Sequence, residues 1–459
     1  MADLNPDFPS GLLVFALLAV LGSLALFATR QHKQTLRFQL KIFLCAFALR
    51  FSLSVLIYQF GLVRVLGDED AIGWWAGVFH YRDWTRQGVG LVDLPTLLMG
   101  AFKGNHQGYG YLLGSLFYLT DTPARLPAAA FNGLFGAFTV VLAYRVARTL
   151  FSPWVAVRVG WLTCLFPSMI IWSAQTTKEP VIIFLETAAL YGCVQLKQKG
   201  FSPRHIALCA LAIVLAIPFR FYAAYIAGAA IALTLILPQF KRGRSRAASA
   251  VGIAALAIPI VILTGVLAQS ETEFERFDIQ RIQSFRRDVA ASAGSGYVSS
   301  YDMRTPGGFG VATAVGAAHL LLAPFPWEMG GASLRMALTA PELLIWWWLF
   351  FVGVVPGIRY AVKKRFGDVL PLLFFLLGLG LLYSMMFGNI GLVFRQRAQL
   401  LPWLFIFAAV GLEQRMLRRK AARKTLTASL LHGRAPVVVT RENLSRPVGP
   451  GNLSSTTES

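Results

Sequence analysis

The chain has 459 residues, of which 56% are hydrophobic and only 14% charged, and its mean hydropathy is +0.58; ordinary soluble domains carry roughly 25% charged residues. That balance excludes a soluble globular protein and predicts uncharged spans long enough for about 30 Å of hydrocarbon, built as helices and not as the alternating strands of a barrel. The net charge of +21 falls in short Lys/Arg clusters between apolar segments, which reads as membrane topology and excludes one basic face for nucleic acid.

Asp3 and Asp7 precede the first apolar run with no Lys or Arg, so Gly11 to Thr29 is read as a retained span and not a signal peptide. Arg30, Lys33, Arg37 and Lys41 follow without an acid, and the positive-inside rule puts them in the cytoplasm and the N-terminus outside. A second span, Ile42 to Val65, delivers Gly67-Asp68-Glu69-Asp70 to the outer face. The outer segment 66–125 then carries Ile72, Trp75, Ala76 and Phe79 at helical spacing, predicting an interfacial helix, and a second short helix over Tyr109 to Leu119. Leu126 to Tyr144, Trp154 to Trp172 and Pro180 to Leu196 are the next spans; Arg145, Arg148, Arg158, Lys197, Lys199 and Arg204 mark their inner turns. His205 to Leu237 exceeds one crossing and is broken at Pro218-Phe219-Arg220, so an outward and a returning helix are expected, with Arg220 near the outer turn.

Lys241, Arg242, Arg244 and Arg246 are then inside, and Ala247 to Leu267 leads out to a second outer segment, 268–340. There Phe274, Phe277, Ile282, Phe285 and Val289 form a helical stripe, and Val311 to Pro324 is short enough for a re-entrant or membrane-grazing element. Spans over Pro341 to Ile358, Val369 to Phe387 and Ala398 to Leu412 close an all-α, polytopic domain of about eleven transmembrane helices covering 1–412. The remainder, 413–459, reads as a basic cytoplasmic tail, disordered from about Thr425. Cys45, Cys164, Cys193 and Cys209 all lie in apolar runs without metal or redox spacing and read as small buried hydrophobes.

The outer face collects the unusual polar residues: Asp68, Glu69, Asp70, His106, Lys178-Glu179, Arg220, the Glu328 region and Arg395-Gln396-Arg397. Cations and carboxylates at one boundary suit a site that grips a phosphate-bearing lipid headgroup while a carboxylate acts beside it. Each group also has a plain reading. The three acids suit the N-terminus of a helix starting near Ala71, Lys178-Glu179-Pro180 suits an ordinary helix start, Arg395 and Arg397 suit interfacial anchors, and His106 suits a loop hydrogen bond. An Asp-x-Asp triplet is also able to hold a divalent metal. Arg50 and Glu186, both inside spans, are expected to pair with each other.

Asp68-Glu69 after a span, Asn105-His106-Gln107-Gly108-Tyr109, Phe166-Pro167-Ser168 to Trp172, Lys178-Glu179-Pro180, the Arg220 break and Arg395-Gln396-Arg397 cover most of 40–412. Together they resemble the GT-C superfamily of membrane glycosyltransferases, and more narrowly the bacterial branch related to protein O-mannosyltransferases and lipid A aminoarabinose transferases. The resemblance implies an enzyme of the bacterial inner membrane that moves a sugar from a polyprenyl-phosphate donor to a lipid, glycan or protein acceptor on the outer face, with inversion. It implies Asp68 as the base, Glu69 and Asp70 as groups orienting the acceptor or a metal, and Lys178, Glu179, Arg220, Arg395, Arg397 and His106 as substrate-binding residues. Two departures stand out: the acidic pair follows the second span and not the first, and Ile72, Gly73 and Trp74 occupy the region where the family carries a Tyr. The competing readings are a transporter or flippase for lipid-linked saccharides, which favours inverted repeats and midplane polar groups, and a surface-polysaccharide polymerase or ligase. The latter should centre on Arg and His in a large late loop, and Gln269 to Gly310 has Arg residues but no His.

Overall fold

A computed structural model describes residues 7–30, 33–63, 71–103, 107–237, 278–291, 302–331, 334–386 and 388–431, with a few backbone positions between 248 and 258. Among the described residues the chain is almost entirely helical and has no strand. The elements are α1 (Asp7–Ala28), α2 (Lys33–Gln59), α3 (Ala71–Arg86), α4 (Leu94–Leu98), α5 (Gly108–Thr120), α6 (Arg125–Leu150), α7 (Pro153–Leu165) and α8 (Pro167–Ser173). There follow α9 (Glu179–Lys199), α10 (Pro203–Ile236), α11 (Ile279–Ala291), α12 (Pro306–Leu322), α13 (Leu334–Leu349), α14 (Val355–Met386), α15 (Ile390–Arg397) and α16 (Leu401–Leu431). The chain divides into two units, Met1–Gly411 and Leu412–Ser459.

Among the described residues six helices are long and apolar enough to cross a membrane, or up to eight when each bent pair is one span. This is a multi-pass membrane protein. The sequence led to about eleven spans, and the difference has three sources. The helical runs 203–236 and 341–386 are each continuous where the sequence predicts two spans, and most of Ala247 to Leu267 lies outside the described residues. Each long run is nevertheless interrupted by one residue with non-helical backbone angles, Arg220 and Arg365.

Local chemistry sets the breaks. Ser152 caps α7 by accepting from the Val155 N–H at 3.2 Å, with Pro153 in the first turn. Pro167 then keeps Phe166 extended (φ −68°, ψ 123°), so α7 ends there and α8 leaves at 53°. α15 and α16 are likewise bent by 66°, and Asn389 caps α15 by accepting from the Gly391 and Leu392 N–H groups. The helix at the C-terminal end continues to Leu431, so the disorder expected from Thr425 does not begin there; Ala421, Ala422, Arg423 and Lys424 are strong helix formers that carry it on. Residues beyond 431 lie outside the described set.

Burial orders the bundle. The apolar window of α9 is 94% enclosed and that of α1 only 17%, so α9 is central and α1 peripheral. α3 and α5 pack side by side in parallel: a side chain at Gly110 would meet Ala76, one at Gly114 would meet His80, and the Trp84 and Tyr118 rings approach at 6.3 Å. α3 buries Trp74 and Val78 in that contact and leaves Trp75 and Phe79 exposed, as an interfacial helix would. In the stripe read over 271–289, α11 buries Ile282 and leaves Phe285 exposed; Arg286, expected on the polar side, is instead buried and donates to the Ala312 carbonyl at 3.3 Å, and Phe274 and Phe277 lie outside the described residues.

Candidate functional site

α9 opens on Glu179, whose side chain is fully enclosed. Two buried guanidinium groups reach it from distant parts of the chain: Arg220 donates to Oε1 at 3.0 Å and Arg395 donates to Oε2 at 2.6 Å. Each local structure explains the delivery. Arg220 sits at the break in α10 (φ −162°, ψ 85°), two residues after Pro218, and the helix resumes beyond it. Arg395 lies in the last turn of the short α15, which the bend before α16 turns toward α9.

A polar network surrounds this ion pair. Arg220 also donates to the Tyr383 hydroxyl at 3.1 Å and to Gln396 Oε1. With its amide nitrogen turned toward α9, Gln399 donates to Glu186 Oε1 at 3.0 Å and contacts the Tyr383 hydroxyl at 2.8 Å. Glu179 and Glu186 are seven residues apart, two helical turns on one face of α9, and both face this cluster. Glu179 holds both guanidinium groups while Glu186 meets Gln399 and lies within reach of the Arg220 charge; against these two carboxylates stand Arg220, Arg395 and Lys178, which leaves the cluster with positive charge in excess. Arg220 Nε has no acceptor among the described residues.

The segment 174–178 that presents Glu179 is pinned from two helices, α6 and α2. Asn132 of α6 donates at 2.7 Å to the carbonyls of Gln175 and of Thr177 and at 2.9 Å to the Tyr109 hydroxyl. Tyr58 of α2 accepts from the Thr176 N–H at 3.0 Å, and Ser54 donates to the Ala174 carbonyl at 2.7 Å. Buried carbonyls left without donors would cost about 1–3 kcal/mol each, so these contacts define the loop's conformation.

Arg397 does not join the Glu179 cluster. It is buried on the end of α12, donating to the carbonyls of Leu320 (2.7 Å) and Ala323, and the charge of Glu342 lies nearby. Lys178 is half-buried, next to the cluster in sequence and in space. Asp68, Glu69, Asp70 and His106 lie outside the described residues. Among the described residues no three His, Cys, Asp or Glu side chains converge as metal ligands. The expected Arg50–Glu186 pair is corrected: Arg50 spends its N–H groups on Ser173 Oγ (2.7 Å) and on the carbonyls of Ala46, Thr163, Cys164 and Met169, while Glu186 meets Gln399. The bend between α7 and α8 exposes the Thr163, Cys164 and Met169 carbonyls to a donor, and a guanidinium satisfies several at once. Tyr383, Gln399, Asn132 and Tyr58 were not singled out in the sequence; one hydroxyl or amide in an apolar run carries no periodic signal.

The described site therefore belongs to a polytopic helical membrane protein with a buried, positively biased Arg–Glu–Arg cluster where broken helices meet. No protein-family model matches the chain, and no curated protein matches it.

Proposed function

We propose that the protein is a GT-C-type glycosyltransferase that moves a sugar from a polyprenyl-phosphate donor to an acceptor hydroxyl on the outer face of a bacterial inner membrane. In this reading 203–236 and 341–386 each make two crossings and Ala247 to Leu267 one. The chain then crosses about eleven times, with its N-terminus outside and its C-terminus in the cytoplasm.

The observation that carries the reading is the Arg220–Glu179–Arg395 cluster with its surplus positive charge. A sugar phosphate bond breaks more readily when cations stabilise the charge growing on the departing phosphate, and a fixed, enclosed cluster does so without reorganising. Glu179 holds the two guanidinium groups in place, and Lys178 and the Nε of Arg220 are the donors best placed to face a phosphate. Asp68 takes the proton of the acceptor hydroxyl, whose oxygen forms the new bond to the anomeric carbon as the bond to phosphate oxygen breaks; polyprenyl phosphate leaves. Glu69 and Asp70 orient the acceptor. Chain order supports that assignment: the three acids immediately precede α3, α3 runs parallel to α5, and a side chain at Gly108, the first residue of α5, would strike Pro218 beside the Arg220 break.

The break at Arg220 is also a feature of transporters, so the alternative is a flippase for lipid-linked saccharides. The two separate in proteoliposomes loaded with a labelled polyprenyl-phosphate sugar and supplied with envelope membranes as acceptor. Release of free polyprenyl phosphate with label moved to acceptor supports the transferase; movement of intact donor between leaflets without breakdown supports the flippase and removes the transferase reading.

A further inference from the structure

A cavity of about 490 Å³ lies apart from the Glu179 cluster, between the C-terminal ends of α1, α6 and α9 and the start of α10. It is within the size range of ligand pockets, roughly 300–1,000 Å³. Its apolar wall reaches up to Phe184, but its basic rim at Lys199 lies at the far end of α9 from Glu179, about 30 Å away along the helix, the thickness of the hydrocarbon layer. The two sites face opposite membrane boundaries.

Its floor is Arg145, only 6% exposed. One N–H of that guanidinium goes to Gln39 Oε1 at 2.7 Å and two share Thr29 Oγ1 at 3.3 Å each; these are neutral acceptors. At the rim stand Arg30, Lys199 and Arg204, all exposed, and Arg204 is close enough for its charge to act on Arg145. No carboxylate lines the cavity, and none of these four cations has an ion-pair partner among the described residues. The wall running from the rim toward the middle of the bundle is apolar, with Leu26, Phe138, Leu142, Phe184 and Leu211.

Four like charges against an apolar wall repel one another until an anion enters, and free phosphate would leave the wall unused. An anion that carries a hydrocarbon chain satisfies both halves. We propose that this cavity binds one anionic phospholipid, its phosphate held by Arg145, Arg204, Lys199 and Arg30 and one acyl chain lying along the apolar wall. The site does not depend on the transfer reaction proposed above.

The test is native mass spectrometry of the full chain in a zwitterionic detergent, titrated with dioleoyl phosphatidylglycerol or dioleoyl phosphatidylcholine. The native protein retains one phosphatidylglycerol in preference to phosphatidylcholine, and an excess of inorganic phosphate leaves that lipid bound. Replacing the three exposed rim cations together (Arg30→Ala, Lys199→Ala, Arg204→Ala) lowers its occupancy about tenfold or more, since each such cation near a membrane surface contributes appreciably to anionic-lipid binding. Replacing the separate basic group Arg359, Lys363 and Lys364 with Ala leaves occupancy unchanged. Equal retention of both lipids, displacement by inorganic phosphate, or an unaltered rim variant overturns the proposal.

Discussion

The Glu179 carboxylate meets Arg395 at 2.6 Å, although 216 residues separate them in sequence. With Arg220 on the other oxygen, this contact ties the start of α9 to the break in α10 and the end of α15. Removing the carboxylate would strand two buried cations, a loss worth about 3–5 kcal/mol for a buried pair. Glu179→Gln is therefore expected to lower unfolding stability in mixed micelles by that order. A change below about 1 kcal/mol would show that the cluster is hydrated and open.

Arg50 holds the bend between α7 and α8 through three carbonyls and Ser173. Gly136 leaves room for it, because a side chain there would lie 2.6 Å from Arg50 Nε. Arg50→Met keeps much of the volume but strips the donors, and it should destabilise the fold by about 3 kcal/mol or more. Gly136→Ala should act in the same direction by displacing the guanidinium. Chemical unfolding of both variants checks this, and full stability of Arg50→Met would contradict it.

Asn132 is the link between α5, α6 and the segment 174–178. Asn132→Ala frees two buried carbonyls and the Tyr109 hydroxyl at once. Hydrogen exchange of the amides at 174–178 should rise well beyond that of the α6 amides around it, with a total loss of about 2–4 kcal/mol. Equal protection in variant and native protein would mean that Tyr58 and Ser54 hold the segment alone.

His80 on α3 stacks between Trp84 and Tyr111, and burial holds its pKa below the ordinary 6.5, with Asp83 opposing weakly. The unfolded chain therefore takes up the proton first as pH falls. Packing of α3 on α5 is stable above about pH 6.5 and weakens as pH drops through the lower folded value. Trp84 fluorescence followed against pH should show this loss, and His80→Phe should flatten it. A curve unchanged by that substitution would assign the titration to another group.

Much of the architecture was legible in the apolar runs and their basic clusters, because crossing hydrocarbon leaves few alternatives for a chain. The Pro218-Phe219-Arg220 break was legible too, since proline and an intramembrane charge are both expensive inside a helix. The helix count was less so: whether Arg359 to Arg365 sits in a loop or within one helical run depends on packing that periodicity does not encode. At the site, Glu179, Arg220 and Arg395 stood out as charges in apolar surroundings, but their mutual pairing did not. Arg50 and Glu186 looked like partners for the same reason and are not, because charge alone says nothing of which helices meet. Arg397 shares a motif with Arg395, yet two residues along a helix point about 200° apart, and it serves the end of α12 instead.

The most direct measurement is transfer of labelled sugar from a synthetic polyprenyl-phosphate donor by the purified protein, with Asp68→Asn compared at equal folded yield. The account predicts that Asp68→Asn retains donor binding and loses transfer by at least about a hundredfold, the range expected for removing a general base. Undiminished transfer by Asp68→Asn would contradict that role, and no transfer by the native chain would contradict the account as a whole.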